Sequence, residues 1–277
     1  MPITTSPIGP TTGVEIAGLR GGALVDRGVA DECRAALDRY GVVIYREADI
    51  GDDDLVEFSR LLGEVVPLAM GGHERPEIQR ITRDASKSKL AAYREATFFW
   101  HIDGTTDTLP NKATLLTARQ VSDDGSGDTE FANTYAAYEA LPDEEKRELE
   151  NVRVVHSFAA SQSLVYPDPD PRERAAWAKV PSREHPLVWT RGSGRKSLLI
   201  GATAGEVVGG DPEEGRALLD RLLSWATRPE FTIRHRWRPG DLVIWDNTGM
   251  LHRAQPYAET SSRLMHRTSL AGEEAVQ

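Results

Sequence analysis

Cysteine is nearly absent: Cys33 is the only one among 277 residues. A single thiol excludes an internal disulfide and any cysteine-based zinc cluster, and it favours a reducing, cytoplasmic setting. No apolar run approaches the length that spans a bilayer, and the opening "MPITTSPIGPTTGVEI" lacks the basic flank and apolar core of a signal peptide. There is no internal repeat, low-complexity tract or interdomain linker, so one domain over residues 1–277 is expected. Basic residues are outnumbered, 33 against 43 acidic ones, and the net charge of −10 argues against a general nucleic-acid binder. No membrane or nucleic-acid partner is therefore expected.

What remains is ordinary for a globular protein, with 39% hydrophobic and 27% charged residues. "DRGVADECRAALDRYG" predicts a helix ended by Gly41, and "VVIYRE" a strand after it. "GDDDLVEFSRLLGEV" predicts a second helix, its leading acids suiting the positive helix N-terminus. "RDASKSKLAAYREA" is polar and irregular and reads as a mobile loop. From residue 111 the chain is β-rich: "ATLLTAR", "DTEFAN", "VRVVHSF", "HPLVWT", "KSLLIGA", "FTIRHRW", "DLVIWDN" and "SRLMHRTSL" are candidate strands, spaced as in a sandwich or barrel. Helices interrupt them at "TYAAYEALPDEEKRELE" and "PEEGRALLDRLLSWATR". "AASQSLVYPDPDPRERAAWAKVPSRE" reads as a long, charged loop of the lid or binding kind.

The chemistry centres on "TFFWHIDGTTD". Residues two apart in a strand share a side, so His101 and Asp103 can reach one metal ion. Of the other histidines, His235 in "IRHRW" reads as an exposed strand position. His266 has the opposite parity to Arg263, Met265 and Arg267 and faces away if they face inward. His252, just beyond the buried-looking "GDLVIWDN", is the best third ligand. Two histidines and one carboxylate form a facial triad, which leaves positions on Fe(II) open for a bidentate co-substrate and O2. A zinc hydrolase with the same ligands is a second chemical reading.

Several collinear motifs, "WHIDGTTD", "GSGDTEFANTYAAYEALP", "GSGRKSLLIGA", "EFTIRHRWRPGDLVIWDN", "LHRAQPY" and "SSRLMHRTSL", resemble the taurine dioxygenase and 2,4-dichlorophenoxyacetate dioxygenase family. The resemblance runs from about residue 15 to 271. It implies a mainly β fold with flanking helices, a double-stranded β-helix or cupin-like jelly-roll. It also implies an enzyme using Fe(II), 2-oxoglutarate and O2, with His101, Asp103 and His252 as metal ligands. Thr129 and Arg263 match the residues that bind the distal carboxylate of 2-oxoglutarate, and Arg267 matches an arginine that contacts acidic substrates. Arg263 and Arg267, four apart, also share one face of a strand on parity alone, and two inward guanidiniums need anions.

The implied reaction hydroxylates a small anionic organic molecule, or cleaves it after hydroxylation, and releases succinate and CO2. Asp103 fills the position that related halogenases leave to halide, so hydroxylation is favoured over chlorination. His73, Tyr93, Arg94 and Phe98 are further candidates to contact substrate. A jelly-roll that binds metal and senses a small acid without oxidising it is the alternative. Relatives are often dimers or tetramers, so a homo-oligomer is expected. One departure stands out: relatives usually carry arginine after "WDN", and this chain carries Thr248.

Overall fold

Hydrophobic alternation organises the computed structural model, which describes residues 3–68 and 72–277. In the strand Leu242–Asp246, Val243 and Trp245 point to one side while Leu242 and Ile244 point to the other. Both sides are covered, which is why this strand reads as an unbroken apolar run. It lies at the centre of a seven-stranded sheet, between Val42–Tyr45 and Ala113–Gln120. Beyond Ala113–Gln120 come Leu264–Ser269 and the edge strand Gln79–Ile81, and on the other side lie Val14–Ala17 and Thr4–Pro7.

The helices Arg27–Tyr40 and Asp52–Leu62 cover the outer face of this sheet with Leu37, Leu55, Phe58 and their neighbours. The Asp26 carboxylate caps the first by accepting from the backbone N–H groups of Gly28 and Val29. The inner face meets a second sheet ordered Thr232–His235, Thr129–Asn133, Met250–Ala254, all antiparallel. Phe131, Met250 and Ile233 from this sheet pack against Leu116, Trp245 and Met265 from the larger one. Two smaller sheets and the helix Pro212–Ala226 close the outside. The result is the jelly-roll expected from the sequence.

Four expectations need correction. The strand Met250–Ala254 was not foreseen. The segment read as a long loop contains the helices Phe158–Val165 and Pro171–Trp177. The second is started by a reciprocal cap between Asp170 and Glu173, with Pro171 fixing the first turn. The irregular stretch after Arg83 ends in a 3-10 helix, Ala91–Phe98. His235 is buried rather than exposed, with its Nε2 3.3 Å from Asp241 Oδ2.

Phe131 is fully buried between the sheets and packs 5.4 Å from Trp245, centroid to centroid. Phe131→Ala is expected to cost about 3–5 kcal/mol, as large-to-small changes in a core do. Urea unfolding of the two proteins checks this.

Candidate active site

His101 and His252 belong to different segments, and the backbone brings them together. The N–H of His101 donates to the carbonyl of His252 at 3.0 Å, and the N–H of His252 returns the bond at 2.9 Å. This antiparallel bridge adds a short fourth segment to the three-stranded sheet. Gly201 allows a neighbouring backbone to approach it. Its φ is +116°, and a Cβ there would lie 2.7 Å from the Trp100 carbonyl oxygen and 3.2 Å from His101 Cα.

The two imidazoles sit 4.1 Å apart, and Asp103 completes the group. One ligand atom from each of the three residues lies within 4.8 Å of the others. The His101 Nδ1 is 2.8 Å from the carbonyl oxygen of Phe99. A carbonyl only accepts, so Nδ1 carries the proton and the Nε2 lone pair is left for a metal. Burial pushes both imidazoles below their ordinary pKa, His252 down to about 3 with help from neighbouring His101. Both are therefore neutral, as metal ligands must be. For Asp103 burial acts to raise the pKa, but the Arg267 guanidinium, helped by the hydrogen bond from Thr114, holds the group below the usual carboxylate range.

A chain of donors fixes the orientation of Asp103. The Trp245 indole N–H donates to Asn247 Oδ1 at 2.9 Å, and Asn247 Nδ2 donates to Thr114 Oγ1 at 2.9 Å. Thr114 then donates to Asp103 Oδ2, also at 2.9 Å. An indole N–H can only donate, so every later bond in the chain has a fixed direction.

The triad opens onto a cavity of about 50 Å³ lined by Arg94, Thr97, Thr129, Tyr257, Arg263 and Arg267 as well as His101 and His252. A larger open cleft of about 640 Å³ lies outside, against Phe99 and Trp100, but none of the triad lines it. Size does not decide the site here; the chemistry is in the smaller cavity.

Thr129 and Arg263 line the same cavity. The Trp237 indole donates to Thr129 Oγ1 at 2.9 Å, leaving the threonine proton free for an anion. Arg263 is 3% exposed, lies 4.8 Å over the Tyr257 ring, and has no carboxylate within salt-bridge distance among the described residues. Gly127 makes room for it: with φ at +84°, a Cβ would stand 2.8 Å from Arg263 Cδ. Arg267 Nη1 is 3.3 Å from both oxygens of Asp103.

The four tentative substrate residues separate. Arg94 lines the cavity and is 8% exposed. Phe98 stands behind the wall, edge-on to Tyr257 at 5.7 Å. Tyr93 is 48% exposed and packs on Phe158 outside the cavity. His73 does not reach it: its Nε2 is 3.1 Å from Asp52 Oδ2, and its ring meets His266 edge-on. Strand alternation explains this, because His266 faces the outer side of the sheet whose inner side carries Arg267. Asp52, His73 and His266 could themselves be taken for a metal site, but Arg119 Nη2 is 2.5 Å from Asp52 and already supplies the positive charge.

Position 248 also finds its explanation. The Arg191 guanidinium contacts Thr248 Oγ1 and lies 3.0 Å from Tyr135 OH, while Thr248 Oγ1 reaches Asp246. The cation beside Thr248 is thus Arg191, which follows the strand Val188–Thr190. Sequence reasoning missed Thr114, Gly127, Asn247 and Arg191 because each acts through a partner distant in the chain; the spacing of Asn247 from the metal strand gave no signal of it.

Comparison with known proteins agrees with this arrangement. Residues 4–269 match the family model described as Taurine catabolism dioxygenase TauD, TfdA family. The chain is 35% identical over 286 residues to an alpha-ketoglutarate-dependent 2,4-dichlorophenoxyacetate dioxygenase of Cupriavidus pinatubonensis, covering 97% of this chain and 98% of the relative. It is 32% identical over 274 residues to an alpha-ketoglutarate-dependent sulfate ester dioxygenase of Pseudomonas putida, covering 96% and 89%. Among solved structures, AAD-2 in complex with Mn(II) and N-oxalylglycine superposes with a TM-score of 0.82 at 31% identity, over 100% of both chains.

The donor chain behind Asp103 gives a direct test. Asn247→Leu and Thr114→Val are expected to weaken metal binding about 10–100-fold, the usual range for groups that orient a ligand. Thr114→Ser should stay near the parent. Mn(II) titration followed by calorimetry measures this without turnover, and unchanged affinity in both variants would remove the orienting role.

Proposed function

The chain belongs to the taurine catabolism dioxygenase TauD, TfdA family, and from that premise we propose how its residues divide the work. It is an Fe(II)- and 2-oxoglutarate-dependent dioxygenase. His101, Asp103 and His252 hold the iron, Thr129 and Arg263 hold the distal carboxylate of 2-oxoglutarate, and Arg267 receives an anionic substrate. The chain acts as one catalytic domain. The observation that carries this reading is that five of these side chains line one small cavity, with Asp103 beside His101 and His252 as the third ligand.

The donor set fits the group it has to hold. Two neutral imidazoles and one carboxylate, with no thiolate, suit Fe(II). Bound iron supplies the O2-dependent oxidation of a substrate C–H bond while 2-oxoglutarate is converted to succinate and CO2. The protein contributes binding, orientation and exclusion of water. Thr129 donates a hydroxyl proton and Arg263 a planar pair of N–H groups to the same carboxylate, the bidentate geometry for which arginine is suited. Both are buried, so their bonds act in a low dielectric.

In the arrangement described, Arg267 pairs with Asp103. A cation bound by Asp103 supplies the charge that Arg267 now provides and frees the guanidinium for substrate. Small anionic substrates are also what the relatives' names describe, phenoxyacetates and sulfate esters. With Asp103 holding a ligand position, hydroxylation, or cleavage that follows it, is the outcome this site favours. A non-oxidising sensor is disfavoured, since the relatives named above are dioxygenases.

Anaerobic titration with Fe(II) and then 2-oxoglutarate tests the assignment through the visible charge-transfer band of the chelate. His252→Ala is expected to abolish the band. Arg263→Ala should need about tenfold or more 2-oxoglutarate to reach half its intensity, the worth of one charged hydrogen bond. Gly127→Ala, which crowds the Arg263 side chain, should shift the titration the same way. An Arg263→Ala protein that titrates like the parent would dismiss its role.

A further inference from the structure

Among the described residues, Arg94 has no partner that accounts for its charge. It sits on the 3-10 helix Ala91–Phe98, is 8% exposed, and lines the same cavity as Arg263 and Arg267. Its one hydrogen bond is a long one, from Nη2 to the carbonyl oxygen of Arg80 at 3.4 Å, and its buried Nε has none. The one carboxylate that acts on it, Asp103, is committed to the metal site and Arg267, and its sequence neighbour Glu95 pairs with Arg83. Burial first, and then Arg267, push the Arg94 pKa down to about 10. The guanidinium is therefore still charged at neutral pH. An uncompensated buried charge is costly, and burying two cations beside each other is costlier still.

The missing negative charge can be counted. Resting on the assignment above, the two charges of Fe(II) and of 2-oxoglutarate cancel. Asp103 offsets one of the three cavity arginines. Two positive charges then remain for the substrate to meet, on Arg94 and Arg267. These residues come from different walls, one from the covering helix and one from the sheet, so a single carboxylate held bidentately by one guanidinium leaves the other unsatisfied.

We propose that Arg94 is a second substrate-anion residue, which together with Arg267 grips one head group and selects for a doubly charged one, of the phosphate-monoester or phosphonate type. Because Arg94 lies on the covering helix, it makes that helix part of the substrate site: the anion bridges sheet and cover.

Methyl phosphate and methyl sulfate test this, since they share shape and differ by one charge at pH 8. Their binding to protein loaded with Mn(II) and 2-oxoglutarate is measured by calorimetry, with acetate as a third probe. The parent is expected to bind methyl phosphate about tenfold or more tightly than methyl sulfate, the worth of one charged hydrogen bond. Arg94→Met should bring the two within about threefold of each other, a difference well under that bond's worth, and Arg94→Lys should keep part of the preference. Affinity for 2-oxoglutarate should stay the same in both variants, measured on the Mn(II) protein without the probes. A parent that binds 2-oxoglutarate but shows no preference between the two esters overturns the proposal. So does an Arg94→Met protein that keeps the preference, or one that loses 2-oxoglutarate instead. A parent that fails to bind 2-oxoglutarate at all strikes the underlying site assignment, and the proposal falls with it.

Discussion

The pair of backbone hydrogen bonds between His101 and His252 is the constraint on which the site depends. It joins two segments far apart in sequence, and the imidazoles meet only because the bridge places their Cβ atoms on one side. Asp103 follows two residues later, in the turn beyond the bridge, and its carboxylate reaches the same point. Behind the bridge, Phe131 and Trp245 pack against the His252 ring, and Gly201 lets a further segment approach without displacing it. Of the metal ligands, His252 is held by the sheet itself and His101 by its bridge to it, the more exact way to place a site, while Asp103 lies in the turn that follows and is fixed by its bond from Thr114.

Charge is the second organising feature. An acidic protein concentrates three arginines in one small cavity and gives them a single carboxylate. Such an arrangement is unstable by itself and is made tolerable by what binds there. Arg267 can rest on Asp103, Arg263 can rest on the Tyr257 ring, and Arg94 rests on almost nothing. The order of decreasing compensation ranks the three by how strongly each calls for an external anion.

Much of this was legible in the sequence, for identifiable reasons. The strand of Leu242–Asp246 and the helix of Arg27–Tyr40 carry strong apolar patterns and clear ends, and both formed as expected. The parity argument separated His266 from Arg263 and Arg267 correctly. It failed for His235, because flanking arginines suggested solvent while Asp241 supplied a buried partner. The strand Met250–Ala254 was missed although it carries His252. Its five residues have little alternation, and its stability comes from pairing with Thr129–Asn133, a non-local fact. The helix Pro171–Trp177 was missed because it is short and lies in a Pro-rich, charged segment, although Pro171 sits at the one helical position that favours proline. Thr114 and Asn247 follow the same logic as the missed strand: their function lies in bonds across the sheet, which no spacing rule encodes.

Register ties stability to function. In the strand Leu264–Ser269, Arg267 faces the cavity while Thr268 bonds Ser59 and His266 bonds Asp52 on the outer side. A slip of one residue would turn Arg267 outward and bring His266 in, since side chains alternate strictly. The outer contacts with Asp52, Arg119 and His73 therefore do more than join a helix to a sheet. They lock the alternation that aims Arg267 at the metal site. His73, chosen from the sequence as a substrate contact, serves the site from the opposite face of the sheet by this route.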